Sequence, residues 1–136
     1  MESRGERARR LLRELILERG YPARMLADYL GVHESRISRY LKGELPRTGG
    51  RLETPEALAA LERLLAGEAE ELLRRWVLAQ VTAEVMRKVK GLTVKEAQEV
   101  AERLLPDRLE AYRRALRRAR LRRPSPPGSG EGGRAS

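Results

Sequence analysis

A chain of 136 residues with a formal net charge of +9 has room for one compact domain, or for a small one with an appended helical unit, and its basic balance favours a polyanionic partner. Phe and Cys are absent and Trp occurs once, so the core must be aliphatic, while disulfides, thiolate catalysis and cysteine-ligated zinc are excluded. No apolar run is long enough to span a bilayer, and the charged start MESRGERARR leads directly into an amphipathic pattern rather than a secretory signal; the expectation is a soluble, cytoplasmic protein.

In chain order, Leu11, Leu12, Leu15 and Ile16 mark the inner side of a first helix over Glu6 to Arg19, stopped by Gly20. Pro22 suits the first turn of the next helix, where no amide donor is lost. Residues 24–43, RMLADYLGVHESRISRYLKG, then set Leu26, Leu30, Ile37, Tyr40 and Leu41 at helical spacing on either side of Gly31. Gly31 can take the positive φ that ends one helix and lets another leave sharply. Ala27 falls where the two helices cross, its small side chain letting the backbones approach, and Ile37 plugs the junction from the second helix. The pattern predicts a helix-turn-helix.

In Ala27, Gly31-Val32, Ile37-Ser38-Arg39 and Lys42-Gly43 the stretch resembles the helix-turn-helix of the Cro/C1-type repressor family, and also the related partition-protein module. The likeness extends over roughly residues 6–66 and is dense over 24–43. It implies an all-α head that binds double-stranded DNA. In one respect the chain departs from the family, which commonly opens the first helix of the pair with a Gln on a phosphate; Pro22, Ala23 and Arg24 stand here, and Arg24 offers a charge instead.

The residues themselves suggest roles. A helix in the major groove presents its N-terminal side chains, and those one turn later, to base edges: here His33, Glu34, Ser35, Arg36, Ser38, Arg39 and Lys42. Arg binds guanine through two parallel hydrogen bonds and Ser contacts any base or a phosphate, so Arg36 and Ser35 are the expected base readers, with Arg39 and Lys42 divided between bases and phosphates. Glu34 accepts from cytosine or repels the backbone. His33, the one histidine, cannot build a metal site alone and fits helix capping or phosphate contact better than catalysis. The segment ELPRTGGRLET reads as an irregular basic loop with Arg47 and Arg51 near the DNA backbone.

Thr54-Pro55 opens another helix that continues to Gly67. From Glu68 to Lys90 a long helix carries two apolar stripes, Leu72, Trp76, Ala79, Ala83, Met86 and Leu73, Val77, Val81, Val85, Val89. Apolar coverage that wide belongs in a core or at a subunit interface. Because so small a chain offers little to surround it, a homodimer through Leu72, Leu73, Trp76, Val77, Val81 and Val85 is expected, the alternative being the central helix of a monomer. Gly91 ends this helix, and a Thr93 to Glu96 capping box starts one to about Leu105. Pro106-Asp107 would begin a last, Arg-rich helix suited to DNA, to RNA or, least well given its narrow apolar side, to an anionic membrane. The end, PSPPGSGEGGRAS, has the composition of a disordered tail.

The fold class expected is therefore all-α, with a DNA-binding head over 1–66, a helical dimerisation or extension region over 67–123 and a tail over 124–136. Charge follows that division: residues 1–50 carry 11 basic and 7 acidic side chains, 51–105 carry 9 and 10, and 106–136 carry 9 and 3. Arg outnumbers Lys 25 to 4, which suits bidentate phosphate and base contacts and equally a GC-rich genome, and heavy Arg and Glu usage is also a thermophile signature. No phosphate-binding glycine loop, nucleophile turn or metal-ligand cluster is present, so no catalytic residue, metal, cofactor or small-molecule effector is expected. The function that fits is a sequence-specific transcriptional regulator, homodimeric and nucleoid-associated. Two alternatives remain open: a nucleoid or partition protein of low sequence specificity, and a helix-turn-helix adaptor that binds another protein.

Overall fold

A computed structural model of the chain describes residues 1–44 and 50–122, and among these there are helices and no strand. Helix α1 (Arg4–Arg13) begins earlier than its apolar periodicity suggests, because Ser3 and Glu6 form a capping box: the Glu6 amide donates to Ser3 Oγ at 3.1 Å and the Ser3 amide to Glu6 Oε1 at 2.8 Å. A π-helical turn, Glu14–Glu18, prolongs it, and Gly20 at φ +82° redirects the chain. Helices α2 (Ala23–Leu30) and α3 (Glu34–Lys42) follow. Residues 45–49, including Arg47, lie outside the described residues.

The loop expected to be irregular closes in a 3₁₀ turn, Arg51–Glu53, that drops Leu52 fully into the core. Thr54 then caps α4 (Pro55–Arg63), accepting from the Ala57 amide at 3.1 Å, with Pro55 in the first turn as its sequence predicts. These elements bury Leu11, Leu12, Leu15, Met25, Leu26, Ile37 and Leu61 almost completely around one centre. Each such side chain contributes roughly 1.5–3 kcal/mol by leaving water.

The chain kinks at Gly67, where φ is +142°, between α4 and α5 (Ala69–Lys88), and Gly91 turns it back into α6 (Val94–Arg122), so that α5 and α6 form an antiparallel hairpin. The capping box at the start of α6 is present, the Thr93 amide donating to Glu96 Oε1 at 2.9 Å and the Glu96 amide to Thr93 Oγ1 at 3.1 Å. Two helices were expected to meet at Pro106, yet α6 runs through it. A proline inside a helix costs about 3 kcal/mol through a lost hydrogen bond and ring crowding. Ala97, Ala101, Leu105 and Leu109, four residues apart and all buried, make one continuous apolar seam that a break at 106 would divide. Pro106 itself lies on the exposed side, where water can reach the carbonyl it leaves unpaired.

That seam covers Leu73, Val77, Val81 and Val85 of α5. These four, expected at a subunit interface for want of other material, are core residues of the hairpin within one chain, because the unbroken α6 supplies the missing cover. Leu72 and Trp76 are half-buried against the same core, while Ala79, Ala83 and Met86 remain exposed. The tail over 124–136, expected to be disordered, lies outside the described residues.

Polar clamps fasten the hairpin. The Arg108 guanidinium donates to both oxygens of Glu84 at 2.7 and 3.0 Å, and Lys88 Nζ reaches the same carboxylate at 3.0 Å. The Arg108 hydrogen bonds first, and Lys88 second, lower the Glu84 pKa from 4.5 to about 2. A lowered carboxyl contributes stability that is full above its unfolded pKa and lost as the pH falls through the folded value. Thermal melts should therefore show part of the stability disappearing between pH 4.5 and about 2, and Glu84→Gln should flatten that acid limb; an acid limb identical in the variant would show that the clamp adds nothing to folding.

Candidate nucleic-acid interface

Three residues connect α2 to α3. Gly31, at φ +71°, lets the Val32 amide return to the Ala27 carbonyl at 3.0 Å, closing α2 in the left-handed conformation that its sequence position suggested. His33 then caps α3: its Nδ1 accepts the Ser35 amide at 3.1 Å and lies 2.9 Å from Ser35 Oγ. With Nδ1 occupied as an acceptor, the neutral ring carries its proton on Nε2 and keeps one N–H donor there. Gly43, at φ +88°, ends α3, with the Glu44 amide returning to the Arg39 carbonyl at 2.8 Å.

The side chains of α3 divide as the spacing predicts. Ile37 and Tyr40 are buried and Leu41 half-buried, whereas His33, Glu34, Ser35, Arg36, Arg39 and Lys42 are exposed; Ser38 is half-buried at the boundary. No carboxylate among the described residues pairs with Arg36, Arg39 or Lys42. Arg24 is likewise exposed and without an ion-pair partner among those residues, in the first turn of α2. Arg51 is exposed beside the turn, one guanidinium N–H donating to the Gly31 carbonyl at 3.2 Å, which leaves its other donors free.

The inward face of α3 is held by a polar contact that periodicity does not reveal. The Tyr40 hydroxyl donates to Glu53 Oε2 at 2.5 Å, and burial, reinforced by that carboxylate, pushes the phenol pKa up. Tyr40 thus remains a protonated donor joining α3 to the 51–53 turn. Arg9 of α1 lies at the other end of α3, its guanidinium 3.7 Å from where a side chain on Gly43 would begin, a favourable place for a cation near helix carbonyls. Trp76 of α5 donates from Nε1 to Asp28 Oδ2 of α2 at 3.0 Å. None of these partners carries a local signal, since each lies in a different element from the residue it meets.

A short helix with a buried apolar face and an exposed basic face, fixed across α2 by a glycine turn, defines a helix-turn-helix head. Residues 12–48 match the family model described as helix-turn-helix, which bears out the resemblance of residues 24–43 to the helix-turn-helix of the Cro/C1-type family. No curated protein and no solved structure matches the chain. No helix among the described residues is long and apolar enough to cross a membrane.

Because α3 is seated by Ile37 and Tyr40, Ile37→Asp should cost several kcal/mol by burying an unpaired charge. Tyr40→Phe should cost nearer 1 kcal/mol for one hydrogen bond. Urea unfolding followed by circular dichroism checks both; an Ile37→Asp protein that unfolds at the wild-type midpoint would mean that the residue is not in the core.

Proposed function

We propose that the chain is a sequence-specific double-stranded DNA-binding transcriptional regulator whose α3 lies in the major groove. The observation that carries this reading is the division of α3 itself: a buried Ile37 and Tyr40 opposite exposed Glu34, Ser35, Arg36, Arg39 and Lys42, whose cations have no carboxylate partner among the described residues. Cations left unpaired on one face are available for phosphates and base edges. Arg36 and Ser35, in the first turn, are the base readers. Arg39 and Lys42 serve bases and phosphates together, Arg24, Arg47 and Arg51 serve the backbone, and His33 orders the first turn while offering its Nε2–H. Glu34 selects against a misplaced phosphate or accepts from a cytosine amine.

Arg36→Ala should weaken binding by about 1–3 kcal/mol and relax preference at one base position. Selection of bound duplexes from random sequence, run on wild type and variant, measures both. Uniform weakening on every duplex would make Arg36 a phosphate contact, and a wild type without any consensus would replace this reading by that of a low-specificity nucleoid protein.

Two copies acting together extend the proposal. One nine-residue helix reads few base pairs, and a two-fold pair of heads about 34–36 Å apart doubles the site. On α5 the surface outside the hairpin seam includes Ala79, Ala83 and Met86. Sedimentation without DNA at tens of micromolar should give a dimer that Met86→Glu dissociates without loss of helicity; a monomeric wild type bound to a single half-site would leave each head acting alone.

A further inference from the structure

Helix α6 changes character along its length. From Val94 to Asp107 it carries two basic and four acidic residues; from Arg108 to Ala119 it carries five arginines and one glutamate. The basic half is the part that returns to the head. Arg113 forms an ion pair with Glu70, which also accepts the Tyr21 hydroxyl at 2.6 Å. Arg113, Leu116 and Arg117 line one small cavity with Arg19, Gly20 and Tyr21, the residues that lead into α2. One turn earlier, Tyr112 meets Trp76 edge to face with ring centres 5.8 Å apart, and Trp76 holds Asp28 of α2. Burial, with the Glu34 carboxylate next, raises the Tyr112 pKa while Arg24 opposes them, so this turn of α6 lies within electrostatic reach of the first turns of both helix-turn-helix helices.

Two of the five arginines are used up in this attachment, Arg108 on Glu84 and Arg113 on Glu70. The other three, Arg114, Arg117 and Arg118, share one face at spacings of three and four residues, are exposed, and meet no carboxylate among the described residues. Three unpaired guanidinium groups on one helix face repel one another weakly through water, and an anion with regularly spaced charges relieves that repulsion. We propose that the C-terminal half of α6 is a second DNA contact, with Arg114, Arg117 and Arg118 binding backbone phosphates beside the site that α3 reads. The proposal rests on the reading of the head as a DNA binder. It assigns the hairpin a purpose: α5 and α6 carry a rigid basic arm to the flank of the recognition unit, and the Asp28–Trp76–Tyr112 contact fixes where that arm lies.

The test uses the full chain with Arg114, Arg117 and Arg118 all changed to Gln, and in a companion variant all changed to Lys. Each phosphate contact contributes roughly −0.9 to the slope of log affinity against log salt. The Gln variant should bind with a slope shallower by up to about 2.7 for three contacts, lose affinity equally on the preferred and on a scrambled duplex, and select the same consensus. The Lys variant should keep most of the slope. Melting curves should match the wild type, since all three side chains are exposed. Trimming the duplex on the flank that α6 reaches should reproduce the Gln result with wild-type protein. A wild type that binds steeply while the Gln variant shows the same slope would overturn the arm and leave the head intact; a changed consensus would make α6 a reader of sequence. A wild type with no salt-dependent affinity for any duplex would overturn the head and the arm together.

Discussion

Helix α3 cannot stand alone, and most of the head exists to correct that. Isolated helices shorter than about 12–15 residues are marginal in water, because nucleating the first turn fixes several dihedral angles for one hydrogen bond. Helix α3 has nine residues, three of them long cations whose side-chain entropy falls when they are ordered. What holds it is one buried stripe, Ile37 and Tyr40, seated in a core built by α1, α2, the 51–53 turn and α4. The termini supply the rest: His33 takes an orphan amide at the start, and the Gly43 turn takes a carbonyl at the end. The exposed basic face is in that sense a by-product of a well-fastened inner one, and its rigidity is what gives Arg36 and Ser35 a defined position.

The hairpin is continuous with the apolar core of the head through Leu64, Ala69 and Leu73, and polar contacts are added at the edge of that junction. The polar contacts are Trp76 on Asp28 and the Tyr21–Glu70–Arg113 group. Tyr21, half-buried there, has its pKa pushed up to about 12 by burial first and by its hydrogen bond to Glu70 second. Directional contacts of this kind fix an orientation more sharply than they add stability, since each replaces hydrogen bonds already made to water. A helix-turn-helix with an arm in a set orientation is a different object from one on a loose tether, and here a shared core and a few directional contacts set that orientation.

Much of the candidate site was legible in the chain because its rules are local. Gly31 and Gly43 end helices through backbone freedom, Thr54-Pro55 and Thr93 with Glu96 start them through caps, and the 3.6-residue period divides α3 into inner and outer faces. Ser3 and Glu6 were legible too, as a capping box that apolar periodicity alone passes over. Leu52 was less so: one of two leucines seven residues apart in a Gly- and Pro-rich loop carries no period, and its burial follows from the core that happens to lie beneath it. The bonds from Tyr40 to Glu53 and from Trp76 to Asp28 join residues 13 and 48 positions apart, and no local rule selects those pairs.

The amino-acid sequence by itself determined an aliphatic all-α chain, the place and polarity of α3, and the excess of cations toward its two ends, because composition, turn chemistry and periodicity act over a few residues. Only the tertiary structure decided what covers the apolar side of α5. Locally, Pro106 reads as a helix boundary, and with a shorter last helix the Leu73 to Val85 stripe would have wanted a second chain. In the fold the seam from Ala97 to Leu109 lies opposite that stripe, and its continuous burial outweighs the hydrogen bond that proline removes. That balance sets a local backbone cost against the summed burial of distant residues, so it can be struck only once both helices are in place.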